Sequence, residues 1–273
     1  MSEEPVLNLA GTYRRLVNAS LARIWENVFD WEHLAHLHGR SFSECALIEA
    51  GPWGWRAALT EATASVAQVI EMRAEREDNR YVTTTIEGTG AGTEIRVTLT
   101  PHDVRQVEVA VEFHIPEARL GRLKEIGDAY AAIYARLWDE DELMMLKRER
   151  ALALRKTPDS TAPPLDLGNE HTIRADLPLL FEFGGAPFRL VDLDGELVAH
   201  STICPHWLGP LDEAEVIDGT VRCPWHGYRF EVASGACLGP AAAKLAPAPA
   251  IRITGGRVLA DWRREHAKAE WQK

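Results

Sequence analysis

The sequence predicts an α+β chain of two domains, in which a strand-rich domain closed by one long helix is followed by an all-β domain. Three observations predict it. Segments of strand character crowd between Ala46 and His114 and lead into a helical pattern that reaches Leu154. A polar, proline-rich stretch, Thr157-Pro158-Asp159-Ser160-Thr161-Ala162-Pro163-Pro164, then breaks the pattern. Beyond it, Asp-Gly and Gly-Gly pairs recur between alternating apolar runs, which is the signature of two-residue hairpins.

Taken in order, Gly11 to Val17 reads as a strand, and Asn18-Ala19-Ser20 offers caps for a helix through Leu21, Ile24, Trp25 and Val28. A second short helix is expected from Trp31 to Leu37, ending at Gly39. Strands follow at Ala46–Ala50, Trp53–Leu59, Ala67–Ala74, Tyr81–Ile86, Thr93–Thr100 and Val107–His114, separated by Gly51-Pro52, Asp78-Asn79 and the glycine run Gly88 to Gly92. That run has no helix after it, so it reads as a hairpin turn and not as a nucleotide loop. The long helix spans about Pro116 to Leu154, with Leu123, Ile126, Tyr130, Ile133, Tyr134, Leu137 and Met144 at helical spacing. The expected domains are 1–155 and 170–273, joined by a linker at 156–169. In the second domain, hairpins are expected around Asp194-Gly195, around Asp218-Gly219, and from Ile251 to Trp262 through Gly255-Gly256.

Composition narrows the function. The formal net charge of −11 over 273 residues argues against nucleic acid and against an anionic membrane surface as partners. The N-terminus lacks a basic region followed by an apolar one, and no apolar run has membrane-spanning length, so a cytoplasmic protein is expected. Cys45 and Cys237 read as buried thiols in a reducing compartment. No dinucleotide fingerprint is present.

The chemistry concentrates at Cys204-Pro205-His206 and, after residues 207–222, Cys223-Pro224-Trp225-His226. Each loop offers one thiolate and one imidazole. Zinc is one reading of such a set, although zinc motifs usually keep their cysteines together and their histidines together. The pattern closely resembles a Rieske [2Fe-2S] centre, in which two cysteines hold one iron and two histidines the other. That resemblance implies an all-β Rieske domain with Cys204, His206, Cys223 and His226 as cluster ligands and a covering loop at Gly239-Pro240. High-potential members carry a disulfide between the two loops. Gly209 or a neighbour and Trp225 stand at the matching positions, which implies the lower-potential branch.

A second motif precedes it. Glu26, Asp30, His33 and His38 read as E-x-x-x-D-x-x-H-x-x-x-x-H, which resembles the catalytic domain of Rieske non-haem iron oxygenases. The element order of the first domain likewise resembles the helix-grip (START/Bet v 1-like) fold of those catalytic domains. The resemblance implies a mononuclear Fe(II) held by His33, His38 and an aspartate of the last helix, here Asp141 beside Glu140. It also implies Asp30 as the electron-transfer bridge from the Rieske cluster. Residues five apart do not share a helix face whereas residues three apart do, so His38 requires the helix to break and His36 stands as the alternative ligand. The plainer reading makes the histidine-rich stretch ordinary packing and Trp138-Asp139-Glu140-Asp141-Glu142 a solvated acidic face.

The resemblance implies a terminal oxygenase. Reduced by a separate reductase or ferredoxin, it would use O2 to hydroxylate, dihydroxylate or demethylate a small apolar or aromatic substrate, as a monooxygenase or dioxygenase. Family members form ring-shaped homotrimers, but here the domain order is reversed, which leaves cluster-to-iron contact within one chain open as well. The competing expectations are an electron carrier fused to a ligand-binding helix-grip module, and a binding module whose Rieske domain senses redox state.

Overall fold

The computed structural model describes residues 6–116, 121–154, 158–239 and 243–262. The chain divides into two compact units, Met1–Leu146 and Lys147–Lys273.

The first unit is a seven-stranded antiparallel sheet with a long helix against its concave face. In chain order it contains β1 (Leu7–Val17), α1 (Leu21–Phe29), β2 (Phe42–Gly51), β3 (Gly54–Glu61), β4 (Gln68–Glu75), β5 (Arg80–Glu87), β6 (Glu94–Pro101), β7 (Val107–Pro116) and most of α2 (Leu123–Leu154), whose last turns fall past the boundary at Leu146. The sheet order is β1-β7-β6-β5-β4-β3-β2, so a meander runs from β2 to β7 and β1 returns to pair with β7. Strict alternation makes β7 half-buried: Val107, Val109, Val111, Phe113 and Ile115 face the core. Trp138 and Met145 of α2 join that core together with Ile24, Trp25 and Val28 of α1. This is the helix-grip arrangement expected from the order of elements.

Local chemistry sets the ends of these elements. Ser20 caps α1 by accepting from Arg23 N, and Trp55 Nε1 donates to Val28 O at 2.9 Å, pinning the last turn of α1 to β3. Helix α2 meets β1 through two glycines: a Cβ at Gly127 would stand 2.2 Å from Ala10 O, and one at Gly11 would stand 3.2 Å from Gly127 Cα. The gap between α2 and the sheet depends on their lacking side chains. The predicted helix at Trp31–Leu37 is instead a series of turns, with Leu37 N donating to His33 O and Phe42 N to His38 O. Of the long helix, the part predicted at residues 117–120 lies outside the described residues.

The second unit contains β8 (Leu165–Asn169), α3 (Glu170–Ala175), β9 (Leu179–Phe183), β10 (Ala186–Leu193), β11 (Glu196–Ser201), β12 (Val216–Ile217), β13 (Thr220–Arg222), β14 (Arg229–Glu231), β15 (Ala250–Thr254) and β16 (Arg257–Asp261). They form three three-stranded sheets, β11-β10-β9, β12-β13-β14 and β15-β16-β8. The Asp194-Gly195 and Asp218-Gly219 turns both place two successive residues at positive φ, as the hairpins require. Strand β8 corrects the expected linker: Leu165–Asn169 pairs antiparallel with β16, so residues 165–169 belong to the sheet. Residues 156 and 157 of that linker, and Pro240 of the expected covering loop, lie outside the described residues. Among the described residues, no helix is long and apolar enough to cross a membrane.

Candidate metal centres

In the first unit, α1, the turns after it and α2 bring three sequence-predicted residues into one cavity. His33, His38 and Asp141 are buried, with one ligand atom of each within 4.8 Å of the others. Nε2 of His33 lies 3.4 Å from Asp141 Oδ1, and Nε2 of His38 lies 3.1 Å from the same oxygen. The break after α1 makes this possible, because on a regular helix His33 and His38 would diverge. His36 is not in the cluster, so the geometry selects His38 between the two. Nor is the whole acidic run a solvated face: Trp138, Asp141 and Glu142 are buried, while Asp139 is exposed. Glu142 is satisfied by Arg15 Nη2 at 2.5 Å, Asn18 N at 2.9 Å and Asn18 Nδ2 at 2.7 Å.

The outward edges of both imidazoles meet carboxylates. His38 Nδ1 lies 2.6 Å from Glu140 Oε2, and His33 Nδ1 lies 3.4 Å from Asp30 Oδ2 without meeting hydrogen-bond geometry. Asn27 Nδ2 donates to Asp141 Oδ1 at 2.9 Å. Such contacts orient ring nitrogens and hold a carboxylate's free lone pairs toward a shared point. Burial disfavours a charged His33, yet Asp141 and Asp30 outweigh it and its pKa is pushed up to about 10. Burial likewise opposes ionisation of Asp141, but His38 and His33 hold its carboxyl well below the usual range. A buried carboxylate of this kind needs positive charge beside it. Two imidazoles and one carboxylate converging on one side of a cavity fit a divalent cation by charge and donor type. Asn27 and Glu140 had only a weak sequence signal, their proximity in the chain to the motif and to Asp141. Glu26 instead pairs with Arg23 at 2.5 Å, away from the cluster.

The cavity has a volume of about 310 Å³. Apolar side chains, among them Val28, Trp55, Ile95 and Leu137, line it together with Tyr81, Tyr130 and Tyr134.

In the second unit, two loops of matching build carry the other four predicted residues. In the first, Cys204 N donates to Gly209 O and Leu208 N to Cys204 O; in the second, Cys223 N donates to Tyr228 O and Gly227 N to Cys223 O. Leu208 and Gly227, four residues after their cysteines, both take positive φ, 62° and 69°. Each turn thereby aims backbone N–H groups at its own sulfur, from His206 and Trp207 in one loop and from Trp225 and His226 in the other. The imidazoles of His206 and His226 stand edge to face with centroids 4.6 Å apart, and their Nδ1 atoms are buried. Tyr228 stacks on His206 at 4.4 Å, which fixes that ring. A Cβ at Gly209 would stand 2.7 Å from Cys223 Sγ, so only glycine leaves room beside the sulfur. The thiol of Cys204 hydrogen-bonds Cys223 and, against burial and with help from His226 and the backbone N–H groups, draws Cys223 below the ordinary thiol value. Cys204 is pushed up by the same contact.

The Rieske [2Fe-2S] domain family matches residues 164–249. Those residues form a Rieske domain. Two thiols bathed in N–H groups and two clustered imidazoles fit the cluster, and the family match decides between it and zinc. The Rieske domain indicates electron transfer. Its loops hold no disulfide, with Trp225 packed beside Gly209. Over 54 residues the chain is 41% identical to apoptosis-inducing factor 3 of mouse and of human, which covers 20% of this chain and 9% of either relative. The chain thus spans about a tenth of the length of these curated relatives. It is 35% identical over 81 residues to the ferredoxin component of the alkene monooxygenase system of Xanthobacter autotrophicus, covering 29% of this chain and 66% of that one. Among solved structures, Zhui aromatase/cyclase from Streptomyces sp. R1128 is similar with 10% identity and a TM-score of 0.46, over 54% of this chain and 98% of that chain.

Proposed function

We propose that the protein is the terminal component of an oxygenase system, taking electrons from a separate reductase or ferredoxin through its Rieske domain. The observation that carries this reading is the convergence of His33 Nε2, His38 Nε2 and Asp141 Oδ1 within the cavity. A mononuclear Fe(II) held by those three residues would supply oxygen activation, with the Rieske cluster supplying electrons. The chain's own residues do the rest. Glu140 and Asp30 orient the two imidazoles from behind, and Asn27 fixes one oxygen of Asp141. Asp30 also takes, in this reading, the bridging role between the two centres. The apolar lining desolvates a small apolar or aromatic substrate and keeps bulk water from the reacting face.

The test is electron paramagnetic resonance of the reduced protein exposed to nitric oxide, beside turnover with a reductase. A high-spin ferrous nitrosyl signal that disappears in His38→Ala supports the reading. Its absence from the wild-type protein contradicts it.

A second reading has its own observation. The match to a ferredoxin component of a monooxygenase system favours a Rieske electron carrier joined to a ligand-binding domain. That reading predicts cluster reduction and reoxidation by a partner protein with no nitrosyl signal.

A further inference from the structure

Tyr81 and Tyr134 both line the cavity. Tyr81 is 8% exposed, and among the described residues neither hydroxyl has a hydrogen-bond partner. Hydroxyls at the wall of a cavity are free to bond what enters it. Both rings are fixed by packing: Tyr81 stands edge-on to Trp25 at 6.3 Å, and Tyr134 edge-on to Phe113 at 5.3 Å. The rings are therefore held in place at the cavity wall. Burial, with Tyr134 and Asp141, pushes the Tyr81 hydroxyl up, and burial, with Tyr130 and Asp141, pushes up that of Tyr134, so both remain O–H donors. The cavity they line also contains His33 and His38, with apolar walls such as Val28, Ile95 and Leu137 beside polar ones such as Thr83 and Gln68.

We propose that Tyr81 and Tyr134 are substrate-orienting donors, and that the cavity takes an apolar ring compound carrying a carbonyl oxygen. A carbonyl oxygen has two lone pairs and is matched by two fixed O–H donors, whereas a plain hydrocarbon leaves both hydroxyls desolvated and unpaired. The walls select the ring and the hydroxyls select the oxygen, turning one edge of the ring toward the His33, His38 and Asp141 cluster. This inference rests on the cavity being the substrate site of the proposed oxygenase, but its test does not require iron there.

Fluorenone and fluorene differ by that oxygen and serve as probes. Their binding to the full-length, cluster-loaded protein is followed by the fluorescence of Trp55 and Trp138, which line the same cavity. The ketone is expected to bind about tenfold tighter than the hydrocarbon. In Tyr81→Phe/Tyr134→Phe the preference should fall to within about twofold, with fluorene affinity unchanged as proof that the pocket is intact. Equal wild-type affinities, binding of neither probe, or a preference that survives in the double variant overturns the inference. The wild-type comparison decides alone if the variant does not fold. Iron counted on the same sample separates the two proposals, since ketone preference with only the cluster's iron keeps this inference and overturns the oxygenase.

Discussion

Nε2 of His38 lies 3.1 Å from Oδ1 of Asp141, joining the turns that follow α1 to the middle of α2. Both side chains are buried. The groups that hold this pair in place determine what the cavity can bind.

Asn27 is the donor that fixes Asp141, at 2.9 Å. Asn27→Ala leaves one carboxylate oxygen without its orienting contact, so ferrous-iron affinity of the cavity is expected to fall roughly tenfold or more. Competition with a chelator measures it. Iron in the Rieske cluster should be unaffected.

Gly209 leaves the space that Cys223 Sγ occupies, with 2.7 Å to an added Cβ. Gly209→Ala is predicted to lower cluster content by roughly half or more, read from visible absorbance per chain. Gly121→Ala, where an added Cβ meets nothing within 4 Å, serves as the control and should leave it unchanged.

Glu71 is buried on β4 opposite Arg56 of β3, accepting from Arg56 Nε at 2.9 Å and from Arg73 Nε at 2.5 Å. Burial works to raise its pKa, but Arg73 and Arg56 win and its pKa is lowered. A depressed carboxyl contributes stability that is fully present above its unfolded pKa and is lost as pH falls through the folded one. Glu71→Gln should cost on the order of 1–2 kcal/mol at neutral pH, with the difference closing in acid below the folded pKa. Urea unfolding at pH 7 and in acid reads both.

Gly127 lets α2 approach the backbone of β1, where an added Cβ would meet Ala10 O at 2.2 Å. Gly127→Ala is expected to destabilise the first unit by about 1–3 kcal/mol, visible as a lower thermal midpoint. A variant as stable as wild type would mean that the helix can shift outward freely.

Much of this was legible from local chemistry. The hairpins at Asp194-Gly195 and Asp218-Gly219 were readable because few residues other than glycine, asparagine and aspartate tolerate positive φ. The cysteine-histidine loops announce themselves by spacing, and the stripe on α2 by period. Two elements were not legible. Residues after Phe29 have helical composition, yet the turns at His33 and His38 form because both imidazoles reach Asp141, a tertiary demand that no local window contains. Leu165–Asn169 follows two prolines and reads as linker, while its partner β16 lies at the far end of the chain. The two tyrosines likewise have ordinary core spacing on β5 and α2, and only the folded protein reveals that both line one cavity.

Iron per chain measures directly whether the cavity is a second metal centre beside the Rieske cluster. Protein reconstituted anaerobically with ferrous iron and sulfide, then desalted, is predicted to hold about three irons per chain in the wild type, the cluster pair and one more, and about two in Asp141→Ala. A count of two in both would contradict it.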